Sequence, residues 1–295
     1  MSTAKMRAHE IGVDAPLVRR LVAERFPHWA ELPVRRLESS GTENAMFRLG
    51  PELVVRLPRH PGAVADIAHE RRWLPRLGPL LPVSAPEPVG FGEPGEHFPW
   101  PWSVYRWLEG GNPVAGAVER PEALARDLGR FVTALRRAGT QDAPRGYRGG
   151  PLADQDAETR SALAELTGRI DTEAATALWE RALKAPAHTG PPLWAHGDLS
   201  PGNVLVSGDR LAAVIDFGCA GVGDPAVDLI VAWNLLPASA RATFRETVGA
   251  DDAEWTRGRG WALSIALVQL PYYWHTNPAL AKNAHHTITE ILREG

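Results

Sequence analysis

Apolar residues recur at helical spacing near the start of the chain. Leu17, Leu21 and Val22 follow Asp14 and Pro16, a capping residue and a first-turn proline, and Phe26-Pro27 closes the run. A helix is therefore predicted over 14–26. The period then shortens to two. Val34 to Glu38, Ala45 to Leu49 and Leu53 to Leu57 alternate, and Gly50-Pro51-Glu52 supplies a turn, so this stretch predicts a hairpin sheet. Helical spacing returns over 62–77, where Val64, Ile67, Trp73, Leu74 and Leu77 share a face. Two further strands are expected at 86–92 and 102–108. After Glu109-Gly110-Gly111-Asn112-Pro113 long helical patterns take over, at 120–138 and 156–185. A strand-rich stretch at 193–217 interrupts them before helices run to the end. Strands around a helix followed by a mostly helical chain predict an α+β fold in two parts, 1–107 and 108–295.

Composition narrows the class. The chain has 295 residues, 44% hydrophobic and 23% charged, which supports a large packed core and excludes a disordered chain. Its net charge of −3 gives no electrostatic case for nucleic-acid binding. Cys219 is the single cysteine, so neither an intrachain disulfide nor a multi-cysteine zinc site is expected. No apolar run reaches the ~20 residues that span a bilayer, and the first residues lack a secretory apolar stretch. The reading is a cytoplasmic enzyme with no membrane partner. Only Lys5, Lys184 and Lys282 can supply an ammonium.

The chemistry concentrates in Trp194–Val206 and Ala213–Gly218. Here His196, Asp198, Asn203, Asp216, Phe217 and Gly218 stand in the order H-x-D-x-x-x-x-N…D-F-G of protein kinases. Chance assembly of six such residues has odds on the order of one in 10⁷ per start site. Asp198 is the candidate to accept a proton from an attacking hydroxyl. Pro201 and Gly202 turn the chain, and Asn203 opens a strand, Val204 to Val206. A return strand, Leu211 to Ile215, delivers Asp216 beside it. One carboxylate and one amide oxygen, completed by phosphate oxygens and water, suit Mg²⁺. His196 is expected to brace the loop backbone. Asp224 before Pro225 reads as a helix cap.

With Gly223-Asp224-Pro225-Ala226-Val227-Asp228-Leu229 downstream, the chain resembles the aminoglycoside phosphotransferase family, small-molecule kinases of the protein-kinase-like fold. The resemblance extends from about residue 34 to residue 275 and is sharpest at 194–229. Gly197 stands where protein kinases usually carry arginine, which favours the small-molecule branch. The resemblance implies a bilobal architecture, with a small antiparallel-sheet lobe that binds nucleotide and a larger helical lobe with the catalytic loop and acceptor site. It implies ATP or GTP as co-substrate and a small-molecule hydroxyl as acceptor. It places a phosphate-covering loop at Ser39–Asn44, with Ser40, Gly41 and Thr42 as contacts. It expects a lysine on the third strand, where this chain offers Arg56, with Glu70 as its helix partner. It puts the nucleotide base against backbone groups of Arg106, Trp107 and Leu108, and has Asp228 brace the catalytic loop.

The acceptor stays open among aminoglycosides, macrolides and similar alcohols. Candidate liners are the acidic groups Asp154, Asp156, Glu158, Asp251, Asp252 and Glu254. The aromatics Trp233, Trp255, Trp261, Tyr272, Tyr273 and Trp274 are the others. The missing lysine motivates an alternative, a pseudokinase-like nucleotide-binding regulatory module.

Overall fold

A computed structural model describes residues 11–37, 43–115 and 117–295. The chain forms two compact units, Met1–Pro79 with Ser84–Glu109, and Leu80–Val83 with Gly110–Gly295.

In the first unit, α1 (Ala15–Arg25) begins at Asp14, whose carboxylate accepts from the Leu17 N–H at 2.9 Å. Strands β1 (Val34–Arg36), β2 (Asn44–Leu49) and β3 (Leu53–Pro58) precede α2 (Val64–Leu77), and β4 (Pro88–Gly92) and β5 (Trp102–Arg106) follow it. All pairings are antiparallel, in the order β1-β2-β3-β5-β4. Strand β3 is central, and all six of its residues are buried. Phe47, Leu49, Val55, Leu57, Trp102 and Val104 are fully enclosed, and α1 adds Val18, Leu21 and Val22 to the same core. Burying this apolar face is the main stabilising contribution.

The second unit opens with α3 (Pro121–Arg136), whose Leu124, Leu128, Phe131, Val132 and Leu135 form one buried stripe. The helix expected over 156–185 is two helices, α4 (Asp156–Glu165) and α5 (Thr172–Lys184). Gly168 adopts a left-handed φ of 78° between them, and Asp171 starts α5 by accepting from the Ala174 N–H at 2.9 Å. Strand β6 (Leu193–Ala195) pairs with β9 (Gly221–Gly223), and β7 (Val204–Ser207) with β8 (Arg210–Val214). The chain then runs through α6 (Val231–Asn234), α7 (Ala238–Val248), α8 (Asp252–Tyr273) and α9 (Pro278–Arg293). Helix α8 packs against α4, α5 and α9. Among the described residues no helix is long and apolar enough to cross a membrane.

Candidate active site

The turn from β6 into β7 carries His196, Asp198 and Asn203, and every part of it is fixed from elsewhere in the second unit. Asp228 is buried, and its two carboxylate oxygens accept from the backbone N–H groups of His196 and Gly197, each at 2.8 Å. Burial pushes this carboxyl group's pKa up, opposed by His196 and by the two N–H donors. The His196 Nδ1 accepts from the Asp198 N–H at 3.3 Å, so its Nε2–H donates to the Ile215 carbonyl at 3.1 Å. The same imidazole packs edge-on to Phe217, with centroids 4.8 Å apart. His196 thereby ties the loop to the end of β8. Gly197 has φ 77°, and a Cβ there would lie 3.1 Å from the Cys219 carbonyl oxygen, so glycine suits this step of the loop.

Asn203 donates its Nδ2 to both the carbonyl and the Oδ2 of Asp198, at 2.9 Å each. The carbonyl end of that planar amide therefore turns away from Asp198. The Ile215 N–H donates to the Asn203 carbonyl at 2.9 Å, which seats Asp216 one residue further along. Asp216 has φ 66°, a left-handed conformation uncommon outside glycine and asparagine, and Phe217 beyond it is buried. The hard oxygens of Asn203 and Asp216 fit a divalent cation of the Mg²⁺ type. Among the described residues no group of three His, Cys, Asp or Glu side chains forms a metal cluster. Phosphate oxygens and water would have to complete the coordination. Asp224 caps the turn after β9 through the Ala226 N–H at 3.1 Å and is held by Arg257 at 2.7 and 3.2 Å.

Three contributors lie outside the sequence expectations. Arg148 donates from Nη1 to Asp198 Oδ1 at 2.6 Å and to the Gly197 carbonyl at 2.9 Å. Burial lowers the pKa of its guanidinium, but the Asp198 carboxylate, together with Cys219 and Tyr147, outweighs that and the shift is upward. Asn112 donates to the carbonyls of Pro201, Gly202 and Val204 at 2.9–3.1 Å. Asn234 donates to the Leu199 carbonyl at 2.7 Å. Only the Gly110-Gly111-Asn112-Pro113 turn carried any local signal for one of them.

In the first unit, Arg56 on β3 donates to Glu70 on α2 at 2.8 Å, and both side chains are buried. With the Asn44 amide oriented oxygen-first, its Oδ1 accepts from Arg56 Nε and Nη2 at 3.0 and 2.9 Å. The Tyr105 hydroxyl donates to the second Glu70 oxygen. Burial, then the Glu70 charge, push the Tyr105 pKa well up. Strand β5 runs out at Arg106, whose N–H goes to the Glu87 carbonyl at 3.0 Å, while the Trp107 N–H goes to the Glu52 carbonyl at 2.7 Å. Those two donors are thus engaged within the unit. Ser40, Gly41 and Thr42 lie outside the described residues.

Several candidate acceptor liners have other partners. Trp233 and Trp261 are fully buried core residues, and Trp233 donates to Glu294 at 2.8 Å. Asp156 accepts from Trp179 and Arg160, Asp251 caps α8, Asp252 pairs with Arg245, and Glu254 accepts from Arg136. Tyr272 and Trp274 are exposed.

The profile of the phosphotransferase enzyme family (APH) matches residues 34–261. No curated protein matched the chain. Among solved structures, the GDP and kanamycin complex of APH(2")-IIia is similar at TM-score 0.75 and 18% identity, covering 94% of this chain and 99% of that one. The streptomycin–ATP complex of APH(2")-IIa aligns at TM-score 0.60 and 17% identity, over 95% and 97%. Macrolide 2'-phosphotransferase MphH from Brachybacterium faecium aligns at 0.63 and 22%, over 93% and 97%. At these identities the likeness establishes the protein-kinase-like fold. The family match covers well over half of the chain, and on that ground the protein belongs to the phosphotransferase enzyme family and is a phosphotransferase.

Proposed function

We propose that this phosphotransferase moves the γ-phosphoryl group of ATP or GTP to a hydroxyl of a small molecule. The observation that supports the reading is that the Asn203 amide clamps the Asp198 carboxylate while the Asn203 carbonyl accepts from the N–H of Ile215, the residue before Asp216. The acceptor's oxygen attacks the γ-phosphorus as the bond to the β-phosphate oxygen breaks, leaving a nucleoside diphosphate. The hydroxyl proton passes to the Asp198 carboxylate. Asn203 and Asp216 would hold Mg²⁺, which when bound offsets charge on the β- and γ-phosphates. Arg56, oriented by Glu70 and Asn44, supplies a guanidinium for phosphate oxygens in the role of the family's lysine. The loop at Ser40, Gly41 and Thr42 and the backbone groups of Arg106, Trp107 and Leu108 other than the two engaged N–H donors are the proposed remaining nucleotide contacts. His196 and Asp228 support the catalytic loop directly, and Asp224, which caps the turn after β9, supports it at one remove.

Structures similar to this one carry GDP or ATP, together with kanamycin or streptomycin in two cases, and one similar protein is a macrolide phosphotransferase. Aminoglycosides and macrolides are therefore among the acceptors to test. Turnover is measured with Mg²⁺, ATP or GTP, and panels of aminoglycosides, macrolides and small alcohols. Phosphorylation of one hydroxyl compound, lost by orders of magnitude in Asp198→Ala with nucleotide binding retained, is the expected result. Unchanged turnover in that variant refutes the assignment. Nucleotide binding with no turnover across the panel favours the regulatory-module alternative.

A further inference from the structure

We propose that Arg148 is a positioning residue that locks the Asp198 carboxylate in its reactive orientation. This rests on the reading of Asp198 as the proton acceptor. The segment His196–Asn203 contains no lysine or arginine, so the catalytic turn has no cation of its own. Arg148 brings one from 50 residues upstream. Its Nη1 spans the Gly197 carbonyl and Asp198 Oδ1, while Asn203 Nδ2 holds Asp198 Oδ2. Each carboxylate oxygen therefore has its own tether on a different segment. Rotation about either side-chain bond of Asp198 would break at least one of them.

The segment bearing Arg148 is itself built in. Val222 donates to the Pro144 carbonyl at 2.8 Å and accepts from Gly146 at 3.2 Å. Tyr147 donates to Cys219 at 3.2 Å, and Asp224 donates to Gly149 at 2.7 Å. Glycine permits this crossing. A Cβ on Gly221 would lie 2.4 Å from the Gly146 nitrogen, and one on Gly223 2.5 Å from the Gly149 oxygen. The side chains of Arg148 and Asp198 remain 20% and 30% exposed. The pair is part-buried, and two directed donors on one guanidinium converge on the loop carbonyl and on the carboxylate that must meet a hydroxyl, an arrangement that fixes geometry.

The test is a double-mutant cycle on the full chain, with Mg²⁺-ATP or Mg²⁺-GTP as donor and water as the acceptor probe. Arg148→Gln is expected to lower turnover roughly 10–100-fold, the range set by a misplaced catalytic group. Nucleotide affinity should stay within about twofold, since Arg148 acts only through Asp198. In an Asp198→Asn background the same change should cost less than about twofold, because the group it positions has gone. Guanidinium ion added to Arg148→Ala should restore part of the rate, and Arg148→Lys should fall between wild type and Gln. Losses that multiply in the double variant, or an Arg148→Gln rate near wild type, overturn the proposal. An Asp198→Asn enzyme as active as wild type sinks the proton-acceptor reading instead. If Arg148→Gln fails to fold, the Arg148→Lys cycle replaces it with the same criteria.

Discussion

Asp228→Asn tests how much of the catalytic turn hangs on one buried carboxylate. Both oxygens of Asp228 accept a backbone N–H at 2.8 Å, from His196 and Gly197, and the side chain is shielded from water. Asparagine keeps the shape and one acceptor. Its NH₂ then confronts a backbone N–H, so one hydrogen bond to a charged acceptor is lost, worth about 1.5–3 kcal/mol, and a buried donor is left unpaired at about 1–3 kcal/mol. Part of this is offset, because the neutral amide avoids the burial that pushes the carboxyl pKa up. A net loss of about 2–4 kcal/mol follows from the two costs less that relief. For a unit of this size it corresponds to a drop in Tm of roughly 4–16 °C. The assay is calorimetric melting, together with amide hydrogen exchange over 194–203. Faster exchange at His196 and Gly197 and reduced phosphotransfer are expected alongside the lower Tm. A loss under about 0.5 kcal/mol, with protection at those two amides unchanged, would refute the idea that Asp228 holds the turn.

Arg56→Met leaves Glu70 buried with its cationic partner gone, and should cost about 3–5 kcal/mol in urea melts. It should also weaken nucleotide binding roughly 10–100-fold, the worth of one charge-assisted phosphate contact; wild-type nucleotide affinity would remove Arg56 from the phosphate site. Asp127, on α3, receives Arg210 at 2.6 and 2.9 Å and the Leu211 N–H at 3.3 Å. Burial alone would raise its pKa, but the Arg210 hydrogen bonds hold it below the ordinary carboxylate value. The stability it contributes is therefore present above an unfolded pKa of about 3.9 and disappears as pH falls through the lower folded value. The gap between wild type and Asp127→Asn should accordingly be constant near neutrality and close below about pH 4; a gap that widens in acid contradicts this. Gly221→Ala drives a Cβ into the backbone of residues 145 and 146 and should lower both Tm and turnover; a variant with wild-type melting and rate shows the crossing to be pliable.

Local spacing carried a great deal. The turn from His196 to Asn203 and the run Asp216-Phe217-Gly218 were legible as a motif because their residue types fall at fixed short spacing around neighbouring strands. Helix and strand periods marked most elements, since burial of one face imposes 3.6 or 2 on the sequence. The break at 166–171 escaped because apolar residues flank it on both sides, and β9 because its Gly-Val-Gly has no alternation to read. Which aromatics belong to the core was equally hidden: Trp233 on α6 and Trp261 on α8 look like any others until the helices of the second unit pack together. The sequence by itself therefore determined the identity and order of the proposed reacting groups. Tertiary structure decided what holds them: that Arg148 reaches Asp198, that Asn234 supports Leu199, and that Arg56 sits on a strand buried throughout its length. The physical reason is range. Periodicity and turn chemistry act over a few residues, whereas a hydrogen bond between positions 50 residues apart exists only once the chain has folded and leaves no pattern along it.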